Sequence, residues 1–249
     1  MNSQAKNLLI IFGTSGGLGR AIYDHAAQFP ENDFLVVNRK ALKLDHKNTV
    51  SVQLDLSKIL SASELAELFR KIKVDGYNNI FLINNAGTIQ PIKPLGRIQH
   101  EDIFKASYVN YLNYAAIINA FIKSFGKLPG QKRVVNITSG SAVSPQYGIS
   151  LYCSAKAALE MLTMSVYKEQ EILHEIKIMA IRPGAMNTAM QQSIRQSSAE
   201  DFKAVAHSKQ LFEDDRLCPP EDVAKRIYKV LFDDKYWSKP ILEISEVTL

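Results

Sequence analysis

A chain of 249 residues with 46% apolar side chains can bury a substantial core as one large domain or two small ones, which excludes a disordered or fibrous protein. The net charge of +5 is spread over scattered Lys and Arg with no basic run or aromatic interleaving, which argues against a nucleic-acid partner while leaving a preference for anionic ligands. Cys153 and Cys218 are too few for a disulfide framework, neither they nor the five dispersed histidines show metal-ligand spacing, and no apolar run reaches the ~18 residues of a membrane span. With a polar start over 1–6 that lacks a signal-peptide pattern, a soluble, cytoplasmic chain without a bound metal is expected.

The continuous apolar run 8–12 predicts a buried parallel strand that feeds into Gly13-Thr14-Ser15-Gly16-Gly17-Leu18-Gly19. Ala21, Ile22, His25, Ala26 and Phe29 follow at helical spacing. Alone, such a stretch is as often a plain glycine-rich turn. Between a strand and a helix, the glycines permit a tight turn and a close backbone approach to a pyrophosphate, with helix N–H groups as donors. A second strand over 34–37 exits at Asn38-Arg39-Lys40, where dinucleotide folds carry an acid for a ribose 2′-hydroxyl or basic residues for a 2′-phosphate. The acid is absent and Arg39 and Lys40 are present, which favours NADP over NAD. Solvated loop charges are the plainer alternative.

A third strand over 50–54 ends at Asp55-Leu56, where the carboxylate either accepts from an adenine amino group or caps a turn. Ser61 or Ser63 starts an amphipathic helix through Leu65, Leu68, Phe69 and Ile72, and Asp75-Gly76 ends the crossover. The strand 79–83 delivers Asn84-Asn85-Ala86-Gly87, small and polar residues at a strand's carboxyl end. A long helical segment over 103–125 contains Asn110, Asn113 and Asn119, poor interior helix residues of which one has a reason to be there. The strand 133–137 runs into Thr138-Ser139-Gly140-Ser141.

The next helix spans 151–173 and sets Tyr152 and Lys156 one turn apart on one face. A phenol beside an ammonium makes an acid, because the cation favours the phenolate and pulls the pKa down from ~10. The pair alone is a common coincidence of surface helices; Ser139, thirteen residues before Tyr152, is what makes it a set. Ser141 is the rival hydroxyl, and Cys153 is assigned to packing. A strand over 176–181 ends at Arg182-Pro183-Gly184-Ala185-Met186-Asn187-Thr188. The polar stretch 191–198 is expected to contribute no core and to act as a mobile lid, a helix starts at Pro219-Pro220, and 241–244 forms the last strand. Helices and strands alternate without a linker or repeat, so a single α/β domain over 1–249 is expected.

Together these ordered motifs resemble the short-chain dehydrogenase/reductase family over essentially the whole chain. Gly13-x-x-x-Gly17-x-Gly19 matches its cofactor turn, Asn84-Asn85-Ala86-Gly87 its fourth-strand signature, and Asn110 in Tyr108-Val109-Asn110 its helix asparagine. Ser139 with Tyr152-x-x-x-Lys156 matches its catalytic set, and Pro183-Gly184 with Thr188 its nicotinamide-side loop. One departure is Phe12, where many members carry threonine. Tyr152-Cys153-Ser154-Ala155-Lys156 with the preceding Pro145-x-x-Gly148 is most similar to the sepiapterin reductase and benzil reductase branch.

The resemblance implies a single-domain Rossmann-type doubly wound parallel sheet with helices on both faces. It implies cofactor contacts from Gly13, Ser15, Gly17, Leu18, Gly19, Asn38, Arg39, Asp55, Leu56, Asn85, Ala86, Gly87, Tyr152, Lys156, Pro183, Gly184 and Thr188. It implies NADPH-dependent reduction of a ketone or vicinal dicarbonyl: Tyr152 as general acid, Ser139 orienting the carbonyl oxygen, Lys156 tuning the tyrosine and holding the ribose, and Asn110 holding a water. The competing class is a non-catalytic NADP(H) sensor on the same fold. A homodimer or homotetramer through the segments 103–125 and 151–173 is expected, with a small-molecule carbonyl as the only other partner.

Overall fold

Apolar runs become seven parallel strands among the described residues, which in this computed structural model are 6–74 and 76–249. Residues 1–5 of the polar start, and Asp75 of the turn read above as closing the crossover, lie outside the described residues. The strands are β1 (Lys6–Phe12), β2 (Asn32–Asn38), β3 (Thr49–Gln53), β4 (Tyr77–Asn84), β5 (Gln131–Ile137), β6 (Lys177–Arg182) and β7 (Ile241–Glu243), in the spatial order β3-β2-β1-β4-β5-β6-β7. Helices α1 (Gly17–Ala26), α2 (Ala62–Arg70), α3 (His100–Ser107), α4 (Asn113–Phe125), α5 (Ser150–Leu173), α6 (Ala189–Arg195), α7 (Val205–Glu213) and α8 (Pro220–Phe232) follow in chain order among them.

The strands read as unbroken apolar runs because both faces of the sheet are covered. Leu9 and Ile11 of β1 face one side with Phe34, Val36 and the α1 and α8 residues Ile22, Val223 and Ile227. Leu8, Ile10 and Phe12 face the other with Leu65, Phe121, Leu159 and Val166 of α2, α4 and α5. Phe12 is therefore a core side chain, fully buried, and it serves the turn through its backbone carbonyl, which accepts from Ala86 N. The chain winds from β1 out to β3, then returns across β1 to β4, so the strand order switches direction at the β1/β4 boundary. Open parallel sheets bind ligands at the carboxyl ends beside such a switch.

Local signals set the helix starts. Ser61 caps α2 through a capping box, its Oγ accepting from Glu64 N at 3.2 Å while Glu64 Oε2 accepts from Ser61 N at 2.8 Å. Pro220 opens α8 with Glu221 and Asp222 in the first turn.

Two expectations are corrected. The segment 103–125 is not one regular α-helix: a π-helical turn, Tyr108–Leu112, separates α3 from α4, and Asn110 sits in it, fully buried. The stretch 191–198 is not without core contacts. It lies largely in α6, where Met190 and Ile194, one turn apart, pack on a third cluster that includes Ile149, Tyr152, Cys153, Phe202 and Val205. The polar residues between them hid that stripe in the sequence.

Candidate active site

The turn after β1 is built by close approach. Gly13 has φ +90° and a Cβ on it would lie 2.8 Å from the Ala86 Cα; a Cβ on Gly19 would lie 1.8 Å from the Gly13 carbonyl oxygen. Asn85 Nδ2 donates to that carbonyl at 2.7 Å, and Ala86 N donates to the Phe12 oxygen at 2.8 Å, tying the turn to the end of β4. From β2, Asn38 Oδ1 accepts from Thr14 N at 2.7 Å and its Nδ2 donates to Thr14 Oγ1 at 2.9 Å. Gly16 precedes α1 with no side chain capping the helix, so the first N–H groups of α1 are left facing the cleft beside glycines. This cradle fits a dinucleotide pyrophosphate.

Above the cradle runs a cleft of about 1200 Å³. Asn38, Arg39, Asp55 and Leu56 border one end; Ser15, Gly17 and Leu18 border the middle, with Pro183, Gly184 and Thr188 on the β6 side. Gly17 and Thr188 nearly touch, since a Cβ on the glycine would be 3.3 Å from the threonine methyl. Asn85, Ala86 and Gly87 line the cleft from β4, and Ser139, Tyr152 and Lys156 line its inner part. Two of the residues expected in the site stand behind its wall instead. Gly19 serves the turn by packing, and Asn110 clamps Thr88, accepting from its N and donating to its O, both at 2.9 Å. Asn38 and Asn85 border the cleft while their amides hold the turn.

At the end near Arg39, Asp55 takes the capping alternative: its Oδ1 accepts from Ser57 N at 2.9 Å, and this bond, aided by the nearby Arg39, holds its pKa below the ordinary carboxylate value. The loop from Asp55 is anchored by Asn113 of α4, which accepts from Leu60 N and donates to the carbonyls of Leu56 and Lys58.

Tyr152 and Lys156 lie in the first two turns of α5, both buried. Lys156 Nζ donates to the Ile137 carbonyl at 2.8 Å and lies 5.6 Å from the centroid of the Tyr152 ring. Burial lowers the Lys156 pKa from 10.5 to about 8, against an opposing pull from Glu160. Glu160 is itself held by Arg182, which donates to both its oxygens at 2.7 and 2.6 Å. The expectation that Lys156 depresses the Tyr152 pKa is corrected. Burial raises the phenol above 10.0 and the facing Ser139 hydroxyl only partly opposes it. Lys156 is committed to a backbone carbonyl and does not offset the desolvation of the phenol, which dominates. A phenol so buried keeps its proton at neutral pH, which is the form an acid needs.

Ser139 precedes the short turn Gly140–Ala142, and its Oγ accepts from Ser141 N at 3.1 Å. Ser141 Oγ accepts from Gln146 Nε2 at 3.2 Å. The cleft is also lined by residues that the sequence pattern did not single out, Ile149, Met190, Ile194, Phe202 and Leu211, together with the exposed His207. Gly148, with φ +90°, lets the backbone of Asp201 approach so closely that a Cβ would lie 1.9 Å from its carbonyl oxygen. Among the described residues no group of three or more His, Cys, Asp and Glu could hold a metal ion.

A family model described as short chain dehydrogenase matches residues 7–199. The chain belongs to that family. This short-chain dehydrogenase is thus an oxidoreductase of a kind that binds a nicotinamide cofactor. It is 34% identical over 249 residues to a benzil reductase ((S)-benzoin forming) of Bacillus cereus, covering 96% of this chain and 99% of that one. It is 27% identical over 247 residues to a sepiapterin reductase of Mus musculus, covering 92% and 93%. The solved structure of the KRED1-Pglu enzyme superposes with a TM-score of 0.82 at 21% identity, over 95% of this chain and 100% of that one, which supports the fold.

Proposed function

We propose that the chain reduces a ketone or vicinal dicarbonyl to an alcohol with NADPH. The observation that carries the reading is the convergence of Ser139, Tyr152 and Lys156 on the inner part of a cleft whose remaining length is a dinucleotide cradle. Gly13, Ser15, Gly17 and Leu18 with the α1 N–H groups would hold the pyrophosphate, and Asp55 and Leu56 would border the adenine. Lys156 would hold the ribose, and Pro183, Gly184 and Thr188 would flank the nicotinamide. When bound, this cofactor supplies the hydride.

The chain's own residues handle the oxygen and the proton. Ser139 donates to the carbonyl oxygen and holds it beside Tyr152, which delivers the phenol proton as the oxygen becomes an alkoxide. Asn110, its amide committed to Thr88 behind the wall, serves the site by fixing the backbone next to Gly87 rather than by holding the relay water with its side chain. The NADP preference rests on Arg39, which borders the cleft near Asp55, and on the absence of an acid between Asn38 and Asp45. The relatives named benzil and sepiapterin reductases support a dicarbonyl substrate.

A sensor of NADP(H) needs the cradle and Arg39 but has no use for the three catalytic side chains together. NADPH consumption followed by absorbance with diketones, quinones, pteridines and aldehydes separates the two: turnover supports the enzyme, and binding without turnover across the set supports the sensor. The reading extends to a cytoplasmic homodimer or homotetramer. Phe104, Leu112 and Met161 are exposed apolar side chains on the expected interface segments, and light scattering measures the assembly. Among the described residues no helix is long and apolar enough to cross a membrane.

A further inference from the structure

We infer that Ser141, positioned by Gln146, donates a hydrogen bond to the second oxygen of a vicinal dicarbonyl, beside the oxygen that Ser139 orients and Tyr152 protonates. The inference rests on the carbonyl-reductase reading and narrows it to substrates with two adjacent oxygens and apolar flanks.

A serine hydroxyl has one proton to give and lone pairs to accept with. The lone pairs of Ser139 meet Ser141 N–H at 3.1 Å, and those of Ser141 meet Gln146 Nε2–H at 3.2 Å. Each hydroxyl therefore accepts from the protein and has its proton to offer elsewhere. Ser139, facing the phenol, offers it toward the reacting oxygen. Ser141 is only 8% exposed and borders the same cleft, and its hydroxyl makes no other hydrogen bond among the described residues.

The two serines are two residues apart, both line the cleft, and the intervening Gly140 adds no side chain between them. Adjacent donors suit adjacent oxygens. Ile149, Met190, Ile194 and Phe202 supply the apolar surface that receives the substituents. A monoketone would leave the Ser141 proton unpaired in a buried site, and sites built to bond a polar group discriminate against analogues that lack it. No covalent step is added: hydride from NADPH goes to one carbonyl carbon, the Tyr152 proton goes to its oxygen, and the second carbonyl emerges unchanged.

The test compares kcat and KM with NADPH for benzil and for deoxybenzoin, in which a methylene replaces one carbonyl. Ser141→Ala is expected to lower kcat/KM for benzil about tenfold more than for deoxybenzoin, the factor of one lost hydrogen bond. Gln146→Glu puts a carboxylate where the amide donates, takes the Ser141 proton for itself, and is expected to shift the ratio the same way. It sits at a half-buried position and reads the same ratio if the first variant fails to fold. Equal losses on both substrates, or no loss on benzil, in folded variants overturn the inference, as does native turnover of deoxybenzoin without benzil; the carbonyl-reductase reading then stands. Native protein that reduces neither substrate nor any other carbonyl tried overturns both.

Discussion

Replacing Asn113 with leucine removes a side chain of similar size that is 1% exposed and makes three hydrogen bonds: from Leu60 N at 3.0 Å, and to the carbonyls of Leu56 at 2.9 Å and Lys58 at 2.7 Å. Three backbone groups lose their partner beside a side chain that cannot replace it. At about 1 kcal/mol each, the loss is about 3 kcal/mol of stability, and for a chain of this size about 2–4 °C per kcal/mol gives a Tm lower by about 6–12 °C. The loop so loosened carries Asp55 and Leu56 at the cleft, so NADPH binding weakens as well. Differential scanning calorimetry without ligand and titration calorimetry with NADPH measure the two effects. The exposed Asn119 is the control, and Asn119→Ala is expected to leave Tm within about 1 °C. A Tm for Asn113→Leu within about 2 °C of the native value would refute the anchoring role.

Arg39→Ala is expected to raise the KM for NADPH about tenfold or more while leaving that for NADH nearly unchanged, since it removes a cleft-lining charge suited to a 2′-phosphate. The ratio of the two constants is the check, and an unchanged ratio contradicts the NADP preference. Lys156, lowered from 10.5 to about 8, is cationic below that pH and neutral above it, so kcat/KM for NADPH falls as pH rises through about 8. Its unfolded form keeps the proton to 10.5, so this group's contribution to stability rises with pH between about 8 and 10.5. A profile flat to pH 10 contradicts the first, and a melting series that falls relative to Lys156→Met over that window contradicts the second. Gly148→Ala forces a Cβ to within 1.9 Å of the Asp201 oxygen at φ +90° and displaces the wall around Phe202. Steady-state kinetics should show KM for the carbonyl substrate rising with the NADPH affinity retained.

The sheet was legible because buried parallel strands are unbroken apolar runs and because Gly13, Gly17 and Gly19 follow the first of them. Tyr152, Lys156 and Ser139 were legible as a spaced set. The rest depends on contacts distant in the chain. Nothing local says that Asn38 bonds Thr14, that Asn85 bonds Gly13, or that Asn113 reaches back to Leu56, and a cleft-facing side chain and one that braces the cleft look alike in sequence. Asn110 showed that distinction most clearly, standing behind the wall in a π-helical turn that periodicity does not reveal. The sign of the Tyr152 shift was misread because spacing to Lys156 is visible in the sequence and burial of the phenol is not. Gln146 carries a signal only after its bond to Ser141 is seen.

The central claim, that a buried phenol delivers the proton in carbonyl reduction, is tested most directly by Tyr152→Phe, which deletes one oxygen and keeps the packing. The account predicts that NADPH consumption with a competent carbonyl substrate falls by about 10²–10⁴-fold, the usual weight of a positioned acid, while titration calorimetry still records NADPH binding. Undiminished turnover by a folded Tyr152→Phe protein would contradict it.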